Sequence, residues 1–271
     1  NGMIDFFLKP LGGVNSDLTR DQLQVWKNTQ GNEFRKKPPG IVVDELNHGT
    51  LNLNDDYQLY ANLTDLPKKF TVTSPYMLSK MVANEFYPDT AALVNALGDL
   101  LGEQVAGIEA DVIQVDEANV TGAPHDGAIA AEGINRILRR VKTTSAVHLC
   151  FGNYGGQTIQ QGEYDLLVEF LNALEADHVV LEMARRPDAE LTILERIDPA
   201  IEIGLGVIDI KDNGVESAET VARRIEEAAN VIGAERIAYV HPDCGFWMLP
   251  RSVADAKMAA LREGRDLYTG A

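Results

Sequence analysis

Ser145-Ala146-Val147-His148-Leu149-Cys150 stays apolar over most of its length and then ends in an imidazole and a thiol. Apolar on both alternating faces and too short for a stable helix, it reads as a strand covered on both sides. Five other runs share this form: Phe70–Pro75, Asp111–Asp116, His178–Glu182, Ile203–Asp209 and Ile237–Cys244. Amphipathic stretches separate them. Leu93, Leu97, Leu101, Val105 and Ile108 follow Asp89, an N-cap residue type. Leu166, Leu167, Phe170, Leu171 and Leu174 follow Gly162, and a fourth helix is predicted from Ala128 to Val141. Val221, Ile225, Ala228 and Ile232 form one stripe that Gly233 stops. Strand–helix alternation with right-handed crossovers predicts a parallel α/β sheet, open or closed.

The strand ends choose between these two. Each run finishes in polar groups: Ser74, Asp116-Glu117, His148 and Cys150, Glu182, Asp209, and Asp243-Cys244. An open sheet of six strands spreads such ends along an edge of roughly 25 Å. A barrel gathers them at one mouth, where barrel enzymes carry their chemistry. The expected fold is therefore a (β/α)8 TIM-type barrel. No internal repeat, low-complexity tract or long linker divides the chain, so residues 1–271 are expected to form one domain. Residues 1–40, broken by Pro38-Pro39-Gly40 ahead of Ile41-Val42-Val43, are the least readable part.

Composition narrows the function classes. A net charge of −17 disfavours nucleic-acid binding, which needs lysine and arginine clusters. No apolar run reaches membrane-spanning length. The first seven residues lack a signal peptide's basic start and cleavage site, and two cysteines make no disulfide framework. A cytoplasmic enzyme is expected.

His148 and Cys150 stand at i and i+2 of a strand, so they point the same way. Cys244 ends another strand on the same side, and Glu182 ends a third after Val179-Val180-Leu181. A carboxylate there needs a partner. Arg185 or Arg186 would provide a salt bridge, and a metal would provide a ligand bond. Histidine, two thiolates and a carboxylate form a set that favours Zn²⁺ over Mg²⁺ or Ca²⁺. With a net charge of about −1 around the ion, such a site activates water poorly. It suits holding an incoming thiol as a nucleophilic thiolate.

These residues resemble the C-terminal catalytic barrel of the cobalamin-independent methionine synthase family, in its short core form. The resemblance rests on NLTDLPKKFTVTSPYML, GIEADVIQVDEANVTG, VHLCFGNY, ADHVVLEMARR, EIGLGVIDIKDNGVES and AERIAYVHPDCGFWMLPR, in family order from about residue 60 to 268. It implies His148, Cys150, Glu182 and Cys244 as zinc ligands and Asp116 as the anion that orients the amino group of homocysteine. Ser74, in the TSP stretch, and Glu117, beside Asp116, join the implied substrate-binding set. Lys211 stands where the family carries a proton-donating histidine, and is the second implied catalytic position beside Asp116. A lysine is a weak acid at neutral pH. Ala118 replaces the proline after the family's DE pair. The six runs match the family's third to eighth strands, and the opening segment from Asn1 to Phe7 looks like the loop after its second. The first two strands are therefore expected on further N-terminal residues, of this chain or another.

The implied reaction is zinc-dependent methyl transfer to homocysteine, forming methionine. The donor is left between a methylated corrinoid (methylcobalamin or a corrinoid protein) and methyltetrahydrofolate; the acidic chain disfavours a polyglutamyl folate. The alternatives are alkyl transfer to, or lyase action on, another small thiol such as coenzyme M, a noncatalytic zinc-binding subunit, and a zinc-free decarboxylase-type barrel.

Overall fold

The computed structural model describes residues 3–30, 37–153, 158–186 and 188–271. Asn1, Gly2 and Tyr154 of the quoted motifs lie outside them. The fold is α/β, with strands β1 (Gly12–Asn15), β2 (Ile41–Asn47), β3 (Lys69–Thr73), β4 (Ala83–Asn84), β5 (Val112–Glu117), β6 (Thr144–Leu149), β7 (His178–Leu181), β8 (Glu202–Ile208) and β9 (Ile237–Pro242). All six runs expected from the sequence appear as strands. None of the described helices is long and apolar enough to cross a membrane.

The chain divides into two compact units. The first holds the described residues up to Asp116 together with Ala128–Ser145. In it, β3 and β5 run parallel with Thr73 opposite Asp116. β1 pairs antiparallel with β2, and β2 pairs parallel with β4. Of this small sheet the sequence marked only the run Ile41-Val42-Val43; the helix Met3–Leu8 stands where a loop was expected, and the helix Arg20–Gln30 is an addition. β1 has four residues, two of them glycine, and β4 has two, so neither carries a readable period. The helix Thr90–Val105 begins where expected, its Ala92 N–H donating to Asp89 Oδ1 at 2.8 Å. Leu93, Leu97, Leu101 and Val105 are all buried.

The second unit holds Glu117–Gly127 and Ala146–Ala271. Here β7 pairs in parallel with both β6 and β8, and β8 pairs in parallel with β9. Spatial order follows chain order with no reversal, as barrel winding requires and a doubly wound sheet with a switch point does not. The helix Ala218–Ile232 is capped by Ser217 and ends at Gly233, whose φ of 86° only glycine adopts readily. Its buried stripe is Val221, Ile225, Ala228 and Ile232, as the sequence predicts. The stretch after Gly162 differs from expectation. It is a 3₁₀ turn, Tyr164–Leu167, followed by a short helix, Val168–Asn172. The predicted helix from Ala128 to Val141 runs from Gly127 to Leu138.

Candidate metal centre

Strand geometry assembles the centre from the C-terminal ends of the second unit's strands. His148 is the penultimate residue of β6, and Cys150 follows the strand's end with its N–H donating to the Glu117 carbonyl at 3.2 Å. Cys244 lies two residues beyond β9. One ligand atom from each of His148, Cys150 and Cys244 lies within 4.8 Å of the others, and both His148 and Cys150 are buried. Nδ1 of His148 lies 3.1 Å from the Val180 carbonyl, directly across the β6–β7 register. A carbonyl only accepts, so Nδ1 carries the proton and Nε2 is the nitrogen left for a metal.

The two thiols share one proton unequally. A hydrogen bond from Cys150 holds the Cys244 thiol down to about 3, with help from His148. The same bond, together with burial, pushes Cys150 well above the ordinary range. Of the two sulfurs, Cys244 is the one on which negative charge is favoured. Two cysteine sulfurs and an oriented imidazole fit zinc, a borderline-soft ion that takes sulfur and nitrogen ligands tetrahedrally.

Glu182 sits beside this trio. It follows β7 and is buried, and its Oε2 accepts the Phe151 N–H at 3.1 Å. Its Oε1 pairs with the Lys211 ammonium, both side chains being 3% exposed. The salt bridge considered with Arg185 or Arg186 therefore forms with Lys211 instead. Arg185 pairs with Asp209 at 3.3 Å, and Arg186 pairs with Glu190. Lys211, sought as a proton donor, is tied to a carboxylate.

Two supporting residues escaped sequence reading. The Tyr164 hydroxyl accepts the Glu182 N–H at 2.9 Å and lies 3.3 Å from the carbonyls of Leu149 and Glu182. Burial keeps its phenol protonated. Asp243 Oδ1 accepts the N–H groups of Met183 and Ala184 at 3.0 and 2.8 Å, and burial raises its carboxyl to about 7. The only signal was the position of Asp243 beside Cys244; Tyr164, between Glu163 and Asp165, gave none. Gly206 leaves room for this arrangement, because a Cβ there would meet Asp243 Oδ1 and stand 2.6 Å from the Leu181 carbonyl. Gly206→Ala is expected to destabilise the fold by about 1–3 kcal/mol. By shifting Asp243 beside Cys244, it should also weaken zinc binding by roughly 10–100-fold. Denaturant titration and chelator competition measure the two effects.

The implied substrate residues are placed separately. In the first unit, Asp116 Oδ1 accepts from Gln114 Nε2 at 2.7 Å. Ser74 caps the helix Pro75–Met81, its Oγ accepting the Met77 N–H at 3.0 Å. In the second unit, Glu117 is fully buried, and its carboxylate accepts the N–H groups of Asn119 and Val120, holding the turn after β5. Ser74 and Glu117 thus have local structural work whatever else they do.

Comparison with known proteins agrees with this chemistry. Residues 1–266 match the family described as cobalamin-independent synthase, catalytic domain. A methionine synthase of Pyrococcus abyssi is 28% identical over 240 residues, which cover 87% of this chain and 66% of that protein. One from Thermococcus kodakarensis is 28% identical over 249 residues, covering 90% and 69%. The chain thus spans about two thirds of these relatives. A B12-independent methionine synthase from Shewanella sp. W3-18-1, solved with selenomethionine, superposes with a TM-score of 0.75 at 19% identity, covering 99% of this chain and 79% of that one. That likeness supports the barrel-type fold. The family is zinc-dependent, and the His148, Cys150 and Cys244 group suits that metal. With the family match covering nearly its whole length, the chain belongs to the cobalamin-independent synthase family, as a catalytic domain of it.

Proposed function

We propose that this chain is one zinc-dependent catalytic barrel domain that transfers a methyl group to the thiol of homocysteine, forming methionine. The observation that carries the reading is the His148, Cys150 and Cys244 group at the strand ends, in a chain of this family. When bound, zinc supplies the positive charge that keeps an acceptor thiol deprotonated and nucleophilic.

The chain's own residues supply the rest. Cys244, Cys150 and His148 hold the metal, with Glu182 as the fourth ligand. Lys211 balances the carboxylate while Glu182 is off the metal. By the family resemblance Asp116 would receive the acceptor's ammonium as a charge-assisted hydrogen bond, and Ser74 and Glu117 belong to the same implied substrate set. Holding both reactants in line converts a bimolecular step into an effectively unimolecular one. The donor is a methylated corrinoid or methyltetrahydrofolate. Lys211 favours the corrinoid, whose methyl group leaves without prior protonation of an amine. The Arg185–Asp209 pair engages the guanidinium that a sulfonate such as coenzyme M would need, which supports an amino-acid acceptor. Reduced cysteine ligands support a cytoplasmic setting.

Zinc-edge X-ray absorption with and without homocysteine tests the reading. Homocysteine is expected to add one sulfur neighbour to the zinc. Methionine should then form on adding methylcobalamin or methyltetrahydrofolate. An unchanged edge, or methylation of coenzyme M in place of homocysteine, would overturn it.

A further inference from the structure

Lys257 lies on the helix Arg251–Thr269 with a side chain that is wholly buried. Its ammonium donates to the Gly214 carbonyl and, at 2.9 Å, to Glu216 Oε2. Glu216 Oε1 in turn accepts the Asp209 N–H at 2.8 Å. Asp209 Oδ1 accepts the Lys211 N–H at 2.7 Å, and the Lys211 ammonium rests on Glu182. One continuous polar chain therefore runs from the C-terminal helix to the carboxylate beside the metal group.

Apart from polar contacts the segment this chain crosses has little to hold it: Arg185 pairs with Asp209 at 3.3 Å, and Arg224 reaches Glu216 Oε1 at 3.5 Å. Between Ile210 and Val221 no apolar side chain is buried, and Val215 is 46% exposed. A buried ion pair is an indifferent way to stabilise helix packing, since an apolar residue of similar volume does as well. What the pair adds is direction: it fixes where the 209–216 segment sits. We propose that Lys257 is a positioning residue which, through Glu216 and Asp209, holds Lys211 on Glu182. The geometry stands without the methyl-transfer reading, which enters only in the use made of Lys211.

The test uses the full chain with Lys257→Met, Glu216→Gln, their double variant and Gly264→Ala. The last is a control on the same helix, because a Cβ there would stand 2.6 Å from Val221 Cγ1 and 2.8 Å from the Ala218 carbonyl, outside the polar chain. Each folded protein is treated with an amine-reactive ester, and acylation of Lys211 is followed by peptide mass spectrometry. Lys257→Met and Glu216→Gln should each raise the Lys211 rate about tenfold or more. The double variant should be no faster than the faster single, because both cut one chain. Gly264→Ala should lower the melting temperature and leave the Lys211 rate within twofold of wild type. Wild-type labelling in both polar variants, or equal acceleration in Gly264→Ala, would overturn the proposal. Should Lys257→Met fail to fold, Glu216→Gln, a near-isostere, carries the same test. Labelling needs neither methyl donor nor acceptor, so a chain inactive towards homocysteine would overturn the functional reading and leave this one standing.

Discussion

Replacing Cys150 or Cys244 by serine is expected to remove the zinc and the activity together. A serine hydroxyl stays protonated near neutral pH and is a poor ligand for a borderline-soft ion. Four-ligand protein sites bind zinc with roughly 10–16 kcal/mol, so one ligand's share is about 3 kcal/mol, a hundredfold or more in affinity. The two variants should not be equal. Cys244 is the sulfur whose thiolate is favoured, by the Cys150 hydrogen bond and by His148. Cys244→Ser deletes that anion outright, whereas Cys150→Ser can still donate a hydrogen bond to it. Cys244→Ser is therefore expected to lose more zinc in a chelator competition, and both should fall below about 1% of wild-type methyl transfer. Metal analysis of dialysed protein beside a methionine-formation assay checks this. A variant that kept one zinc per chain and full turnover would remove the centre from the mechanism.

The parts of this fold that were legible in the sequence are those where one physical signal dominates. β6 to β8 announce themselves because strands covered on both faces must be apolar throughout, so a polar residue at the end stands out; β9 has the same apolar run but is only half-buried. That is why His148, Cys150 and Cys244 could be grouped before any coordinates. The helix Ala218–Ile232 was legible for the same reason, since its stripe, cap and terminal glycine all agree. β1 and β4 were not, being too short to show a period. Nor were the pairings of charged residues. For Glu182 the sequence offered Arg185 or Arg186, and only the course of the 209–216 segment decides for Lys211 over both. Lys257 illustrates the same limit: on a helix of otherwise ordinary polarity, nothing local marks it as buried.

That pairing yields the second large effect. Lys211→Met is expected to destabilise the metal-free chain by about 3–5 kcal/mol, because it removes one partner of a buried ion pair and strands the other. Both side chains are 3% exposed, so water cannot take over from the lost ammonium. The hydrogen bond left to Glu182 Oε2 comes from the Phe151 N–H, which satisfies hydrogen bonding and not charge. Zinc changes the balance if Glu182 is its fourth ligand, because the ion then replaces the ammonium as the neighbouring positive charge. The loss measured by urea unfolding should accordingly shrink to less than half when the variant is loaded with zinc. The comparison separates two roles for one carboxylate. A loss that is the same with and without zinc would make Glu182 a salt-bridge partner alone and leave the metal to His148, Cys150, Cys244 and an external ligand. A loss that zinc repairs would make Lys211 a stand-in cation that holds the fourth ligand in place until the metal binds.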